Sequence, residues 1–421
     1  MELTDKNNHV RQEKRVPVSK NYYWVVITLF TLGWVLMYAD RTILNPIMGH
    51  IADEFNLNKS QLGLINSVFF LAYAIFQIPG GMLGDKFGRK LVIWIGFLIF
   101  GVFTGLTGLV SSFAMLMVIR FIVGIGEGTY YGPQYALSTE AIPTKHLTLG
   151  TAIINSGQAL GISGGYLISS YLVLEAGMDW KVPFYVMTIP TVIMAILFAW
   201  FLKEKIIRPE DQNANSSEEA AKAEKVSLGS IFKNRNLLMA FIMCFCSLYG
   251  FFVVVTWLPE FLQTERGFEG GSVGFISSLV PWASIPGAII FARLADKLKR
   301  TKVFVFTMVP LAIVCIIAVA FVTDRTILII ALIGYGLFGK LALDPILVAF
   351  VAKNAPKGSL GTTLSSYNFI GMSSSILAPY ITGAIADTTG SMQTGFYLSA
   401  GLLVVGMIFM LFAKEKVTYN N

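Results

Sequence analysis

Two arginines and two acids interrupt apolar stretches of this 421-residue chain. Tyr38, Ala39, Asp40 and Arg41 follow one another inside one stretch, and Arg120 and Glu127 lie in another. A charged residue at the centre of a membrane helix costs about 2.5–3.5 kcal/mol even on the most lenient scale. Groups retained at that cost face a partner, a cavity or a solute. A guanidinium is always charged and presents a planar fork of donors, which suits a carboxylate. A carboxyl group can carry a proton once burial raises its pKa, and moving Asp from about 3.9 to near 7 takes roughly 4 kcal/mol. The expected chemistry is therefore anion binding by Arg41 and Arg120, with proton coupling through Asp40 and Glu127. Arg120 and Glu127 are about 10.5 Å apart along one helix, too far to pair with each other. Permanent ion pairing across helices is the competing structural role for all four.

Other polar residues share these apolar surroundings. Tyr38 stands three residues before Arg41 and so on the same helix face. Tyr73, Gln158 and Asn368 are single polar groups in apolar spans, suited to contacting substrate or to bonding a neighbouring helix. Lys340 and Asp344 are four apart and within reach of one another. They form either a self-neutralising pair or a second cation for a dianionic substrate. No metal site is expected, because His9, His50 and His146 are scattered and Cys244-x-Cys246 lacks zinc-ligand spacing. No nucleophile–base arrangement stands out, so the chain does not read as an enzyme. No cofactor is expected, with protons as the coupling ion.

The elements that must hold these residues are membrane helices. The chain is 55% hydrophobic and 14% charged, with a mean hydropathy of +0.66; soluble domains carry about 25% charged residues. Apolar spans fall near 22–48, 61–82, 91–110, 113–135, 147–171, 182–202, 237–262, 271–292, 303–322, 326–350, 360–384 and 393–413. Each approaches or exceeds the roughly 20 residues that cross a bilayer. The expected fold class is an all-α membrane protein of twelve transmembrane helices in two six-helix halves. Its parts are an N-terminal tail (1–21), a first half (22–202), a linker (203–236), a second half (237–413) and a C-terminal tail (414–421). A short surface helix is expected in the linker near Glu218–Lys225. The tails and even-numbered loops hold 25 of the 32 lysines and arginines, which predicts that both termini are cytoplasmic. The net charge of +7 is explained by that placement, and no nucleic-acid partner is expected. The lipid bilayer, a small anion and protons are the expected partners, and the chain is expected to work as a monomer.

An internal repeat supports two halves. Gly84-Asp85-Lys86-Phe87-Gly88-Arg89-Lys90 follows the second span, and Asp296-Lys297-Leu298-Lys299-Arg300 follows the eighth. The first loop resembles the signature of the major facilitator superfamily, and the second is similar to its weaker copy. Arg120 to Gly128 resembles that superfamily's fourth-helix motif. Within it, Tyr38-Ala39-Asp40-Arg41 with Arg120, Glu127 and Trp257-Leu258-Pro259 resembles the anion:cation symporters, which include sugar-acid permeases and sialin. The resemblance runs from about Tyr22 to Phe412. It implies proton-coupled uptake of a sugar acid or related carboxylate, by rocking of the halves about a midplane site. It also implies substrate contacts at Tyr73, Gln158 and Asn368, and a cytoplasmic gate at Asp85, Arg89, Asp296 and Arg300. The short loop around Asn58-Lys59-Ser60 resembles that of bacterial members, so a bacterial cell membrane is the expected location. Organophosphate exchange on the same fold would call for an arginine in the seventh span, which has none. Drug export fits poorly with two arginines poised for anions. A sensor would need a signalling domain, and only Lys414–Asn421 follow the last span.

Overall fold

The computed structural model describes residues 16–207, 228–298, 300–356 and 359–414. The first group of helices comprises α1 (Tyr22–Ile43), α2 (Met48–Phe55), α3 (Lys59–Phe87), α4 (Arg89–Thr107), α5 (Phe113–Gly128), α6 (Tyr131–Ala141), α7 (Thr144–Ser169) and α8 (Val182–Phe201). The second comprises α9 (Leu228–Lys233), α10 (Arg235–Arg266), α11 (Gly271–Leu298), α12 (Thr301–Phe321), α13 (Arg325–Phe338), α14 (Lys340–Asn354), α15 (Leu360–Thr389) and α16 (Gln393–Leu411). Within the first group α1 packs on α7, α3 on α5, and α4 on α5 and α8. In the second, α10 packs on α15 and α16, and α11 on α13. Outward-facing Ile, Leu, Val and Phe side chains, such as Ile78, Ile189 and Phe321, remain exposed on the flanks, as a lipid-facing surface requires.

Eleven stretches among the described residues are long and apolar enough to cross a membrane. The fifth expected span falls on α7, which is outside that set. Asn155, Ser156, Gln158 and Ser163 dilute its apolar character. The expected linker helix near Glu218–Lys225 lies outside the described residues. One element has no counterpart in the expected layout. Strand β1 (Val16–Pro17) pairs in parallel with β2 (Ile206–Ile207), so the N-terminal tail is tied to the start of the linker.

Three spans expected to be continuous are broken. The first ends at Ile43 and passes through a 3₁₀ turn (Asn45–Ile47) into α2; Pro46 has no N–H to return to Thr42. The fourth divides between α5 and α6, where Pro133 likewise leaves the carbonyl of Thr129 without its helical donor. The tenth divides at Gly339, whose backbone is extended (φ −78°, ψ −164°). All three breaks fall beside charged residues.

The two groups touch along α3–α15 and α7–α11. Gly63 and Gly383 allow the first contact. A Cβ on Gly63 would sit 2.2 Å from the carbonyl oxygen of Pro379, and one on Gly383 would sit 2.3 Å from that of Lys59. Among the described residues, the hydrogen bonds joining the groups lie midway or toward the Asn58 end. Asp387 accepts from the backbone N–H groups of Lys59 and Ser60, both at 2.8 Å, at the start of α3. Glu175 accepts from Gly271 N–H at 2.9 Å, at the start of α11. Each group thus offers a carboxylate to a helix N-terminus of the other, where free N–H groups and the helix dipole favour negative charge. Gln263 donates to the carbonyl of Pro46, and Asn45 to that of Val255. At the opposite end Asp85 holds Arg89 at 3.2 Å, and Arg89 also reaches Glu140 at 3.8 Å; all three belong to the first group.

These reciprocal carboxylate caps are expected to hold the Asn58 end shut. At about 0.5–1 kcal/mol each in water-screened positions, the two together shift an open–closed equilibrium several-fold. Spin labels at Asp53 and Thr388 should report one short distance in the parent chain. In the Glu175→Ala/Asp387→Ala variant a longer component should appear; an unchanged distribution would mean that glycine-mediated packing alone holds this end closed.

Candidate functional site

The last turn of α1 brings Asp40 and Arg41 against α5, and the pairing crosses over. Arg41 Nε donates to Glu127 Oε2 at 2.7 Å, and Arg120 Nη1 donates to Asp40 Oδ2 at 3.1 Å. The two α5 residues that are too far apart to pair with each other each find a partner on α1. In so apolar a setting this arrangement is compulsory, because a lone buried charge is far more costly than a paired one.

The two pairs differ in how completely they are sealed. Asp40, Arg120 and Glu127 are fully buried, and Arg41 retains 5% exposure. Thr104 on α4 donates to the second oxygen of Asp40 at 2.7 Å, so that carboxylate has a partner on each oxygen. Phe69 lies 4.8 Å from the Arg120 guanidinium, a cation–π contact that further encloses it. Arg120 Nε and Nη2 have no hydrogen-bond partner among the described residues, so the pairs differ in their carboxylates and not in spare guanidinium donors. Arg41 Nη2 and Glu127 Oε1 have no hydrogen-bond partner among the described residues. The guanidinium is flanked by the rings of Tyr38 and Tyr73, each 4.6 Å from its centre. It therefore keeps a donor in reserve within an aromatic clamp, the arrangement a planar acid group needs.

The remaining candidates sit on other helices. Gln158 on α7 and Asn368 on α15 are half-buried, and neither makes a side-chain hydrogen bond among the described residues. Lys340 begins α14 immediately after the Gly339 break and is ion-paired with Asp344 one turn on. Tyr367 on α15 donates to Asp344 at 2.9 Å. Asp344 also lies within electrostatic reach of Tyr38, Tyr131 and Tyr135 in the first group. Of the expected gate residues, Asp85 and Arg89 hold each other; the Asp296 side chain lies outside the described residues, and Arg300 has an interaction of its own. No cluster of metal-ligating side chains occurs among the described residues.

The sequence did not point to Thr104, to the ring of Phe69 over Arg120, or to Tyr367. A threonine or phenylalanine in an apolar span carries no signal of its own. Tyr367 precedes Asn368, and its neighbourhood could have drawn attention to it. The helix breaks were partly visible as Pro46, Pro133 and Gly339.

Removing one partner of the sealed pair strands a buried charge, with an expected loss of about 3–5 kcal/mol of stability. Asp40→Ala should therefore lower the thermal unfolding midpoint sharply in detergent. The neutral double variant Asp40→Asn/Arg120→Gln should recover most of the loss. Equal damage from both would show that the shape of these side chains matters more than their charge.

The sequence profile of the Major Facilitator Superfamily matches residues 30–274 and 261–421. The hexuronate transporter of Bacillus subtilis is 27% identical over 406 residues, spanning 93% of this chain and 94% of that one. The cis,cis-muconate transport protein of Acinetobacter baylyi is 29% identical, with 94% and 96% covered. A probable sulfoacetate transporter of Cupriavidus necator is 29% identical, with 94% and 95% covered. Among solved structures, a bacterial homolog of the human lysosomal transporter Spinster, inward-facing and unoccupied, superposes with a TM-score of 0.75 at 17% identity. That match covers 94% of this chain and 96% of the other.

Proposed function

The chain belongs to the major facilitator superfamily, as a multi-pass membrane transporter and not an enzyme, and on that premise we propose that it imports a small organic anion together with protons. The substrate class is a sugar acid or related carboxylate. The observation that carries this reading is the incomplete Arg41–Glu127 pair, buried between two tyrosines with one donor and one acceptor unspent. Similarity to carriers named for hexuronate, muconate and sulfoacetate supports an anion bearing a carboxylate.

Transport proceeds by alternating access of two six-helix halves, 22–202 and 237–413, with α7 as the fifth of twelve spans. The distribution of basic residues among the loops supports a cytoplasmic position for both termini in a bacterium. The closed Asn58 end then faces outward, and the Asp85 end opens to the cell interior. In the empty site Glu127 holds Arg41. Protonation of Glu127 removes that counter-ion and frees the guanidinium fork for an incoming carboxylate. Proton and anion thereby favour each other's binding, as linkage requires of a symporter. The occupied site is neutral and crosses the apolar barrier more cheaply than a lone charge. Asp40 can contribute only if Arg120 changes partner, so Glu127 leads the coupling. Tyr38, Tyr73, Gln158 and Asn368 take the remaining polar groups of the substrate. Asp85, Arg89, Asp296 and Arg300 form the inner gate. The protein works as a monomer and needs no cofactor.

Two variants test this scheme. Arg41→Lys replaces a two-donor fork by a point charge and should abolish anion binding to the purified protein; near-normal affinity would move the site elsewhere. Glu127→Gln keeps the proton-bearing shape permanently. In liposomes it should still exchange anion for anion across the membrane, but fail to accumulate it under a pH gradient. Undiminished accumulation by Glu127→Gln would remove Glu127 from the proton path.

A further inference from the structure

The second group of helices contains a charged cluster that the scheme above leaves unused. Lys340 is 6% exposed, and its ammonium donates to Asp344 Oδ1. The Tyr367 hydroxyl donates to the same oxygen. The carboxylate is the open member of the pair, its side chain 39% exposed against 5% for Lys340. Cys244 on α10 borders the cluster, and Tyr38, Tyr131 and Tyr135 of the first group lie within electrostatic reach of Asp344. The arrangement repeats the one around Arg41. In each, a buried cation at a helix break is held by one carboxylate beside a tyrosine, and the cation keeps donors to spare: an ammonium has three.

Charge balance limits what such a site can accept. Empty, it is neutral, with Arg41, Arg120 and Lys340 offset by Glu127, Asp40 and Asp344. One anionic group with one proton on Glu127 keeps it neutral. A second anionic group would leave an uncompensated charge in an apolar interior, which is strongly disfavoured, unless a second cation is released by a second proton. Lys340 and Asp344 provide that capacity. A site for a monoanion needs no such pair, and a lysine buried there must otherwise be neutralised at no functional gain.

We infer that Lys340, released from Asp344, binds the second acidic group of a dianionic substrate, with Asp344 taking up the accompanying proton. This rests on the organic-anion reading and narrows it to acids carrying two charges. Lys340 and Asp344 are then specificity-determining residues, and monoanions depend on Arg41 alone.

Matched probes that differ by one terminal acid test this on the purified full-length protein: D-glucarate against D-gluconate, and cis,cis-muconate against sorbate. In at least one pair the parent chain should bind the diacid tenfold or more tightly than the monoacid. Lys340→Gln/Asp344→Asn keeps the cluster neutral, and should erase that ratio while leaving the affinity for the monoacid unchanged. Asp344→Asn alone frees Lys340 and should raise the ratio. Equal affinities in both pairs would overturn the inference, as would a double variant that weakens both acids in proportion. Weaker binding of both acids by Asp344→Asn would also overturn it, by showing that the carboxylate itself accepts substrate hydroxyls. If the parent chain binds none of the four acids, the organic-anion reading fails as well; monoacid binding without a diacid preference sinks only the second site.

Discussion

Four ionisable groups buried together in an apolar bundle must neutralise each other, and that constraint organises the first group of helices. Asp40 and Arg41 leave α1 side by side, and α5 must answer with Arg120 and Glu127 at heights that match both. The spacing of seven along α5 is two helical turns, so one helix meets both members of the pair on α1. Thr104 and Phe69 then close α4 and α3 over the deeper pair. The site is thus a consequence of helix packing, and the packing is in turn held by the charges.

The two pairs divide the work. Asp40–Arg120 is fully enclosed and both Asp40 oxygens are bonded, which suits a fixed joint between α1, α4 and α5, while Arg120 Nε and Nη2 have no hydrogen-bond partner among the described residues. Arg41–Glu127 has one donor and one acceptor unspent and sits between two aromatic rings, which suits exchange of partners. The same logic places an open carboxylate over a buried cation at the start of α14. Asp40, Arg41, Glu127 and Lys340 lie in the first or last turn of a helix bordering a break, and Asp344 lies one turn further on. Discontinuous helices near the midplane are where membrane carriers bind polar solutes.

Much of this was legible in the sequence. Charges in apolar runs stand out because each is costly, so Asp40, Arg41, Arg120, Glu127, Lys340 and Asp344 could be identified one by one. The Lys340–Asp344 contact followed from spacing, and the mutual exclusion of Arg120 and Glu127 from helix geometry. The crossed partners could not be read, because which helix faces which is decided by packing between residues distant in sequence. Tyr367 and Thr104 act through position alone, and nothing in their type announces it. Hydropathy treated 22–48, 113–135 and 326–350 as unbroken, since it averages over windows longer than the breaks at Pro46, Pro133 and Gly339. The carboxylate caps of Glu175 and Asp387 were invisible for a related reason: an acid at a helix end says nothing of whose N-terminus it will meet.

The claim on which the rest turns is that an anion displaces Glu127 from Arg41 only when Glu127 gains a proton. Calorimetry of anion binding to the purified protein, repeated in buffers of different ionisation enthalpy, counts protons taken up on binding. For a bound monoacid the value should be about one in the parent chain and near zero in Glu127→Gln, by the linkage between proton and ligand. Tight binding with no proton uptake by the parent chain, at any pH where it is folded, would contradict it.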